Sequence, residues 1–187
     1  MQKNSHILVK EPNWKKNRLG SYQSIPGDIQ SWIYEKKSLT QRLKKHYGQT
    51  FAVNVVYQDW AKPYLSESMQ LYESNRHYCL VREVVLLAGE TPLIMARTII
   101  PRSTLQGSQR ILSRLGNRPL GEVIFSYPKL QRLALDVAQL DSSHQCQVPE
   151  NFTDQPDQVW GRRTLYSISG RHLLVCEFFL PGLFKTS

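Results

Sequence analysis

The sequence YSISGRHLLVCEFFLP, residues 166–181, is the strongest structural signal in this chain of 187 residues. It predicts two strands joined by a tight turn at Ser169 and Gly170. The second arm, residues 172–180, is apolar almost throughout, which is typical of a strand buried on both faces. One carboxylate, Glu177, lies in its middle, and burying an ionised carboxylate without a partner is costly. Glu177 is therefore paired, protonated, or directed into a cavity whose contents pair it.

The composition indicates an ordinary globular protein. The chain is 41% hydrophobic and 21% charged, and its length suits one domain with a sizeable core. No apolar run approaches the roughly 20 residues of a membrane span, and the N-terminus lacks the apolar core of a secretory signal. The odd count of three cysteines excludes a complete disulfide framework, and Cys79 and Cys176 lie in apolar runs typical of a core. We expect a cytoplasmic protein without membrane insertion, and a monomer by default.

The net charge of +9 favours an anionic partner, such as nucleic acid, a membrane surface or an acidic small molecule. A nucleic-acid-binding module is suggested by this charge alone, because no RNP, KH or helix-turn-helix signature accompanies it. The basic residues are spread along the chain apart from two clusters, Lys15-Lys16-Arg18 and Arg42-Lys44-Lys45. The pattern favours a general positive field over a dedicated nucleic-acid face.

The remaining sequence predicts an α+β fold: one domain with an antiparallel sheet of about six strands and helices on one side. We expect residues 1–20 to form a basic, loosely attached arm and residues 21–187 to form the domain. The clearest further hairpin joins residues 77–87 to 91–100 through a turn at Gly89. The other predicted elements are a helix capped by Asp28, a helix at 38–48 capped by Ser38, a strand at 50–57, a mobile connection at 59–75, a helix at 103–115, a strand rather than a helix at 130–140, a surface loop at 141–158 and a strand at 159–168.

The candidate functional groups are charges inside apolar strands: Arg82, Arg97 and Glu177, with Arg162-Arg163 beside Trp160. The sequence contains no Gly-rich phosphate loop, HExxH motif, nucleophile elbow or acidic cluster with metal-ligand spacing. The planar guanidinium group of arginine suits bidentate recognition of a carboxylate. A cavity with an arginine at one end and Glu177 at the other would hold a small anion that carries a hydroxyl group.

Each of these residues also has a purely structural interpretation. Arg82 and Glu177 could form a buried ion pair with each other. Arg97 could be a charge on an edge strand or at the rim. Glu83 is expected to be solvated, on the face opposite Arg82. Arg162 and Arg163 would normally be a solvated pair near a turn, and Trp160, Leu39 and Leu120 would be ordinary core residues.

Six short segments follow one another over about residues 25–181: SLTQRL (38–43), LVREVVL (80–86), ARTIIPRSTL (96–105), RLGNRPLG (114–121), WGRR (160–163) and LLVCEFFLP (173–181). Their order and spacing resemble those of the chorismate pyruvate-lyase family, although each segment is short. The resemblance implies an antiparallel sheet with helices, a buried ligand cavity, and helical flaps that cover the cavity.

The resemblance also implies roles for five residues. Arg82 corresponds to the arginine that binds the ring carboxylate, and Glu177 to the glutamate that meets the ring hydroxyl, so these two are the expected catalytic residues. Leu39 and Leu120 correspond to positions that supply main-chain contacts from the two flaps. Arg97 corresponds to a second arginine near the site, placed for the enolpyruvyl carboxylate or an entry path. All five are expected to bind the substrate.

The implied activity is elimination of pyruvate from chorismate to give 4-hydroxybenzoate, the first step in making the head group of a quinone such as ubiquinone or plastoquinone. Because formation of an aromatic ring drives the reaction, we expect no metal or other cofactor. Release of the product through moving flaps is expected to limit turnover. A non-catalytic binding protein for small aromatic acids on the same fold is the alternative.

Overall fold

A computed structural model describes residues 5–16, 25–141, 143–144 and 158–184. The strands are β1 Lys15–Lys16, β2 Phe51–Ala61, β3 Cys79–Ala88, β4 Thr91–Ile100, β5 Leu130–Asp141, β6 Gln158–Ile168 and β7 Arg171–Phe179. The α-helices are α1 Gly27–Ile33, α2 Leu39–Tyr47, α3 Leu65–Gln70 and α4 Leu120–Ile124, and 3-10 turns lie at Gly48–Thr50, Gly107–Ser113 and Pro181–Leu183. The described residues form one antiparallel sheet in the order β1-β5-β6-β7-β4-β3-β2. The predicted α+β class is confirmed, and the two-residue β1 raises the strand count to seven.

The predicted hairpin, β6–β7, lies in the middle of the sheet. Ser169 and Gly170 connect its strands with positive φ angles of 53° and 80°, which is the backbone of a two-residue turn that follows the strand twist. β7 lies between β6 and β4, with most of its side chains buried. Because the turn contains two residues, the register is fixed, and Arg162 is paired with Glu177 across the hairpin.

The sheet is covered on both faces, which explains why its central strands are apolar nearly throughout. Successive side chains of a strand point to opposite faces. Arg82 and Glu177 therefore share one face, here called the cavity face, while their chain neighbours Glu83 and Cys176 point to the opposite face. Two apolar clusters pack on the cavity face and a third packs on the opposite face.

Helices α1, α2 and α4 cover the cavity face; we call α1 with α2 the first flap and α4 the second flap. Ser38 caps α2 through its side chain, and Gly48 ends the helix, as predicted. The two flaps pack closely because Gly121 of α4 has no side chain. A Cβ atom at Gly121 would lie only 2.7 Å from Oγ1 of Thr40.

The N-terminal segment and α3 cover the opposite face, so the prediction that the helices lie on one side of the sheet is wrong for α3. Ile7 and Leu8 are buried in its core, and β1 is paired with β5. Ser5 donates a hydrogen bond of 2.5 Å to Oε1 of Glu83. Residues 5–16 are therefore not a loosely attached arm, because their apolar side chains complete a core that the sheet alone leaves open.

Several other expectations differ from the structure. Residues 103–115 contain a 3-10 helix, Gly107–Ser113, in place of the predicted longer helix, and residues 59–75 contain the end of β2 and α3 in place of a mobile connection. Pro26 occupies the N-cap position of α1, so the predicted cap Asp28 lies in the first turn. The strand predicted at 130–140 is confirmed by β5, whereas most of the loop predicted at 141–158 lies outside the described residues. No helix in the described ranges is long and apolar enough to cross a membrane.

Candidate functional site

A cavity lies between the cavity face of the sheet and the two flaps. Its volume is about 50 Å³, several times the roughly 10–15 Å³ that a single water molecule needs. Four of the five predicted site residues border it: Arg82 and Glu177 from the sheet, and Leu39 and Leu120 from the flaps. Much of the remaining wall is apolar, including Val53, Val84, Leu86, Ile124 and Val175. An apolar wall with a few charged groups is typical of a small-molecule site.

Arg82 is a buried cation whose described partners are all uncharged. Its Nη1 donates to Oε1 of Gln58 at 2.6 Å, and its Nη2 donates to the carbonyl oxygen of Gly116 at 2.8 Å. Burial lowers the pKa of this guanidinium group, although an arginine remains charged at any physiological pH. Because no described carboxylate neutralises it, Arg82 is suited to bind an anion.

Glu177 is not the ion-pair partner of Arg82. Its Oε2 accepts a hydrogen bond of 2.6 Å from Nε of Arg162, and its side chain is 14% exposed. Arg82 lies on β3 and Glu177 on β7, with β4 between them, and among the described residues neither side chain is a hydrogen-bond or ion-pair partner of the other. The interpretation of these two residues as one structural ion pair is therefore wrong, and both border the same void.

Arg162 joins Glu177 to the first flap. It is almost fully buried, and its Nη1 donates to the carbonyl oxygens of Trp32, Ile33 and Glu35, at the end of α1, at 3.1–3.2 Å. Burial opposes the charge on Arg162, but the Glu177 carboxylate more than offsets it and raises the pKa of the guanidinium group. Arg162 thus pairs with Glu177 and fixes the flap beside it.

The expectation that Arg162 and Arg163 form a solvated pair is wrong for both residues. Arg163 is buried on the opposite face, where its Nη2 donates to Oδ2 of Asp136 at 2.7 Å. The position of Arg162 was predictable from the hairpin. A two-residue turn at 169–170 pairs residue 162 with residue 177, and adjacent residues of a strand face opposite sides of the sheet. Tyr166 also lines the cavity and was not singled out from the sequence.

Leu39 and Leu120 border the cavity at corresponding places, as the first residues of α2 and α4. The first backbone N–H groups of a helix have no acceptor within that helix. Each flap therefore brings a helix N-terminus next to the cavity wall, and the main-chain role that the resemblance implies stays a prediction.

Arg97 does not line the cavity, in contrast to its expected place near the ligand. It lies on the opposite face, fully buried, because its neighbours Ala96 and Thr98 occupy the cavity face and strand side chains alternate. Its Nε and Nη2 donate to the two carboxylate oxygens of Glu67 at 2.8 and 3.0 Å, and its Nη1 donates to Glu83 at 2.7 Å.

These contacts also correct the expected environment of Glu83. This residue does point away from Arg82, but it is fully buried in the ion cluster with Arg97 and is not solvated. Burial opposes the charge on Arg97, yet the two carboxylates more than compensate and raise the pKa of its guanidinium group. The cluster sets one guanidinium group against two carboxylates, and it joins α3 and the N-terminal segment to the sheet.

The described residues contain no group of three or more His, Cys, Asp or Glu side chains arranged to hold a metal ion. Burial raises the pKa of the Cys79 thiol to about 12 and that of the Cys176 thiol well above its usual value. Both cysteines are core residues, as predicted. The chemical capacity of the cavity thus lies in its guanidinium and carboxylate groups.

Comparison with other sequences identifies close similarity over most of the chain. The sequence profile of the chorismate lyase family matches residues 9–187. A probable chorismate pyruvate-lyase from Methylococcus capsulatus is 42% identical over 155 residues, covering 83% of this chain and 96% of that protein. A probable chorismate pyruvate-lyase from Thiobacillus denitrificans is 34% identical over 160 residues, covering 84% of this chain and 85% of that protein.

Solved structures show similarity of fold at low sequence identity. A GntR-family transcriptional regulator from Bacillus cereus superposes with a TM-score of 0.55 and 12% identity, covering 74% of this chain and 97% of that chain. The ligand-binding domain of a putative GntR-family regulator from Bordetella bronchiseptica gives a TM-score of 0.51 and 11% identity, covering 71% and 90%. At these identities the likeness concerns the fold alone.

Proposed function

This chain belongs to the chorismate lyase family, and we propose on that basis that it eliminates pyruvate from chorismate to form 4-hydroxybenzoate. One structural observation carries the proposal: Arg82 and Glu177 border the same buried void, and each keeps capacity for a ligand because they are not paired with each other. A guanidinium and a carboxylate at two ends of an apolar cavity complement a flat acid whose hydroxyl group lies opposite its carboxylate.

In this proposal Arg82 binds the ring carboxylate and Glu177 accepts a hydrogen bond from the ring hydroxyl. The bond between the ring and the enolpyruvyl oxygen breaks, and the hydrogen on the hydroxyl-bearing ring carbon moves to the methylene carbon of the enolpyruvyl group. This transfer is either direct or through Glu177 acting as a base. The ring becomes aromatic and the enolpyruvyl group leaves as pyruvate, so the reaction is redox-neutral and requires no electron acceptor.

The protein's contribution is to orient the substrate and to exclude water. Leu39 and Leu120 contribute main-chain N–H groups from the flaps that cover the cavity. A product held at both ends in a closed cavity leaves only when the flaps move, so we propose that product release limits turnover.

The wider setting is also proposed. The protein acts as a cytoplasmic monomer and supplies 4-hydroxybenzoate for the head group of a quinone such as ubiquinone or plastoquinone. The net charge of +9 attracts a substrate that carries two negative charges, an effect that weakens with added salt because free ions screen it.

The proposal is tested by incubating the purified protein with chorismate. We expect 4-hydroxybenzoate, followed by ultraviolet absorbance, and pyruvate, followed with lactate dehydrogenase, to appear in equal amounts. The Arg82→Met variant should produce neither. A folded protein that is stabilised by 4-hydroxybenzoate but leaves chorismate intact would refute the lyase and favour the non-catalytic aromatic-acid-binding protein.

A further inference from the structure

The proposed substrate carries a second carboxylate, on its enolpyruvyl group, whose partner remains to be found. Arg82 accounts for the ring carboxylate, and Arg97, the residue implied by resemblance, lies on the opposite face with both of its carboxylate partners. The following inference rests on the proposed function and concerns the same cavity. It asks which cationic and hydrogen-bonding groups remain near the Glu177 end.

Tyr166 places a hydrogen-bond donor at the cavity wall. It is 3% exposed and lines the cavity, and its hydroxyl oxygen accepts a hydrogen bond of 3.3 Å from Nη2 of Arg132. Within the described part of the chain this hydroxyl has no acceptor for its own hydrogen. Burial raises the pKa of Tyr166, so the hydroxyl keeps its hydrogen at neutral pH. A buried donor without an acceptor is unfavourable, and a bound anion would supply the acceptor.

Arg132 places a positive charge directly behind this hydroxyl. Its Nη2 also donates to the carbonyl oxygen of Glu35 at 2.8 Å. Arg162 donates to the same oxygen at 3.1 Å, so two guanidinium groups meet at one carbonyl next to the cavity. The carboxylate of Glu35 itself faces Arg42, at 3.5 Å. Nε and Nη1 of Arg132 have no hydrogen-bond partner among the described residues.

The charges around the cavity leave a surplus that matches the substrate. Arg82 and Arg162 line the cavity and Arg132 contacts Tyr166 in its wall, so three guanidinium groups stand against the carboxylate of Glu177, while the carboxylate of Glu35 is matched by Arg42. The surplus is two positive charges, and the proposed substrate is a dianion. 4-Hydroxybenzoate, with one negative charge, leaves one of these charges unmatched.

The register places Tyr166 and Arg132 on the side of β7 away from Arg82. Tyr166 lies four residues beyond Arg162 on β6, so both face the cavity, and Tyr166 is paired with Arg132 of β5. Arg82 lies on β3, at the other side of β7. The enolpyruvyl group is attached to the ring carbon next to the hydroxyl-bearing one, so in the proposed orientation it extends from the Glu177 end of the ring into the cavity that Tyr166 also lines.

We infer that Arg132 and Tyr166 form the subsite for the second carboxylate of the substrate. The Tyr166 hydroxyl donates a hydrogen bond to that carboxylate, and Arg132 holds the hydroxyl and supplies the charge. Tyr166 is then a substrate contact, and Arg132 a positioning residue behind it.

Binding of two inert ligands tests this subsite without requiring turnover. 4-Hydroxybenzoate has one carboxylate, and 3-(carboxymethoxy)-4-hydroxybenzoate adds a second one at the position of the enolpyruvyl group. Isothermal titration calorimetry should show that Tyr166→Phe and Arg132→Gln each lower the affinity for the dianion by roughly 10- to 100-fold, the range expected for one hydrogen bond to a charged group. Binding of 4-hydroxybenzoate should change by less than about threefold. The matched control is Tyr127→Phe, which removes a hydroxyl bonded to the carbonyl oxygen of Ser108, away from the cavity, and should change neither affinity.

Equal weakening of both ligands, or no weakening of the dianion, would overturn the subsite. Tyr166→Phe keeps the ring that packs near Phe125, so it remains informative where Arg132→Gln fails to fold. Suppose that the wild-type protein leaves chorismate intact and that Tyr166→Phe removes the preference for the dianion. The subsite would then be supported and the proposed lyase activity refuted. With turnover, both variants should raise the KM for chorismate while the inhibition constant of 4-hydroxybenzoate stays constant.

Discussion

Replacing Arg97 with methionine is expected to lower the melting temperature of the protein without removing its ligand site. The substitution keeps an unbranched side chain in the core but removes three hydrogen bonds, two to Glu67 and one to Glu83. Both carboxylates are almost fully inaccessible to solvent. Without Arg97, two buried negative charges lose their main counter-charge.

The magnitude follows from the burial of this cluster. Removing one partner of a buried ion pair costs about 3–5 kcal/mol, because the remaining charge is uncompensated. For a domain of this size each kcal/mol lowers the melting temperature by roughly 2–4 °C, so we expect a decrease of roughly 6–20 °C. Adding Glu67→Gln and Glu83→Gln to Arg97→Met should recover much of this loss, because the charges themselves then disappear.

Urea denaturation and titration with 4-hydroxybenzoate, measured on the same samples, provide the assay. Arg97→Met should lower the free energy of unfolding while the folded fraction binds 4-hydroxybenzoate with nearly unchanged affinity. Arg82→Met is the matched control with the opposite pattern: lost binding and a smaller effect on stability. If Arg97→Met kept the wild-type stability but lost affinity for the ligand or for chorismate, the structural role assigned to Arg97 would be refuted.

Three further predictions concern catalysis, the flaps and the thiols. Glu177→Gln should lower kcat/KM for chorismate by roughly a hundredfold or more, since the carboxylate that meets the reacting end is lost; an unchanged rate would exclude that role. Gly121→Ala should push the flaps apart at Thr40 and so lower the affinity for 4-hydroxybenzoate. If product release limits turnover, kcat should rise; tighter product binding would contradict this account. With Cys146 replaced by serine, the native protein should resist iodoacetamide at pH 8, because the pKa of Cys79 is raised to about 12. The folded thiol stays neutral while the unfolded thiol ionises, so stability should fall as pH rises from about 9 towards 12; rapid alkylation of native protein would refute the burial.

The hairpin was predictable from the sequence because its signals are local. Ser169 and Gly170 mark the turn, and a two-residue turn determines which residues are paired across it. That register alone connects Arg162 to Glu177, in contrast to the prediction that Arg162 is solvated. The resemblance located Arg82, Leu39 and Leu120, all of which border the cavity.

The opposite face was not predictable, because its core is assembled from distant segments. The apolar run Ile7-Leu8-Val9 is too short to indicate a buried segment, and Glu67 lies in a polar stretch. Without knowing that these cover the sheet, Arg97 and Glu83 have no visible partners, and a rim or solvent position is the natural expectation. The strand pairing does distinguish Arg97 from Arg82. Arg82 is paired with Thr98 and shares its face of the sheet, so Arg97, the neighbour of Thr98, lies on the opposite face.

A crystal structure of the protein with 4-hydroxybenzoate tests the central claim most directly. We expect the ring to lie in the cavity between the sheet and the flaps, with its carboxylate on the guanidinium group of Arg82 and its hydroxyl within hydrogen-bond distance of Glu177. A ligand bound elsewhere, or one whose carboxylate lies at the Glu177 end, would contradict the assignment of the two groups.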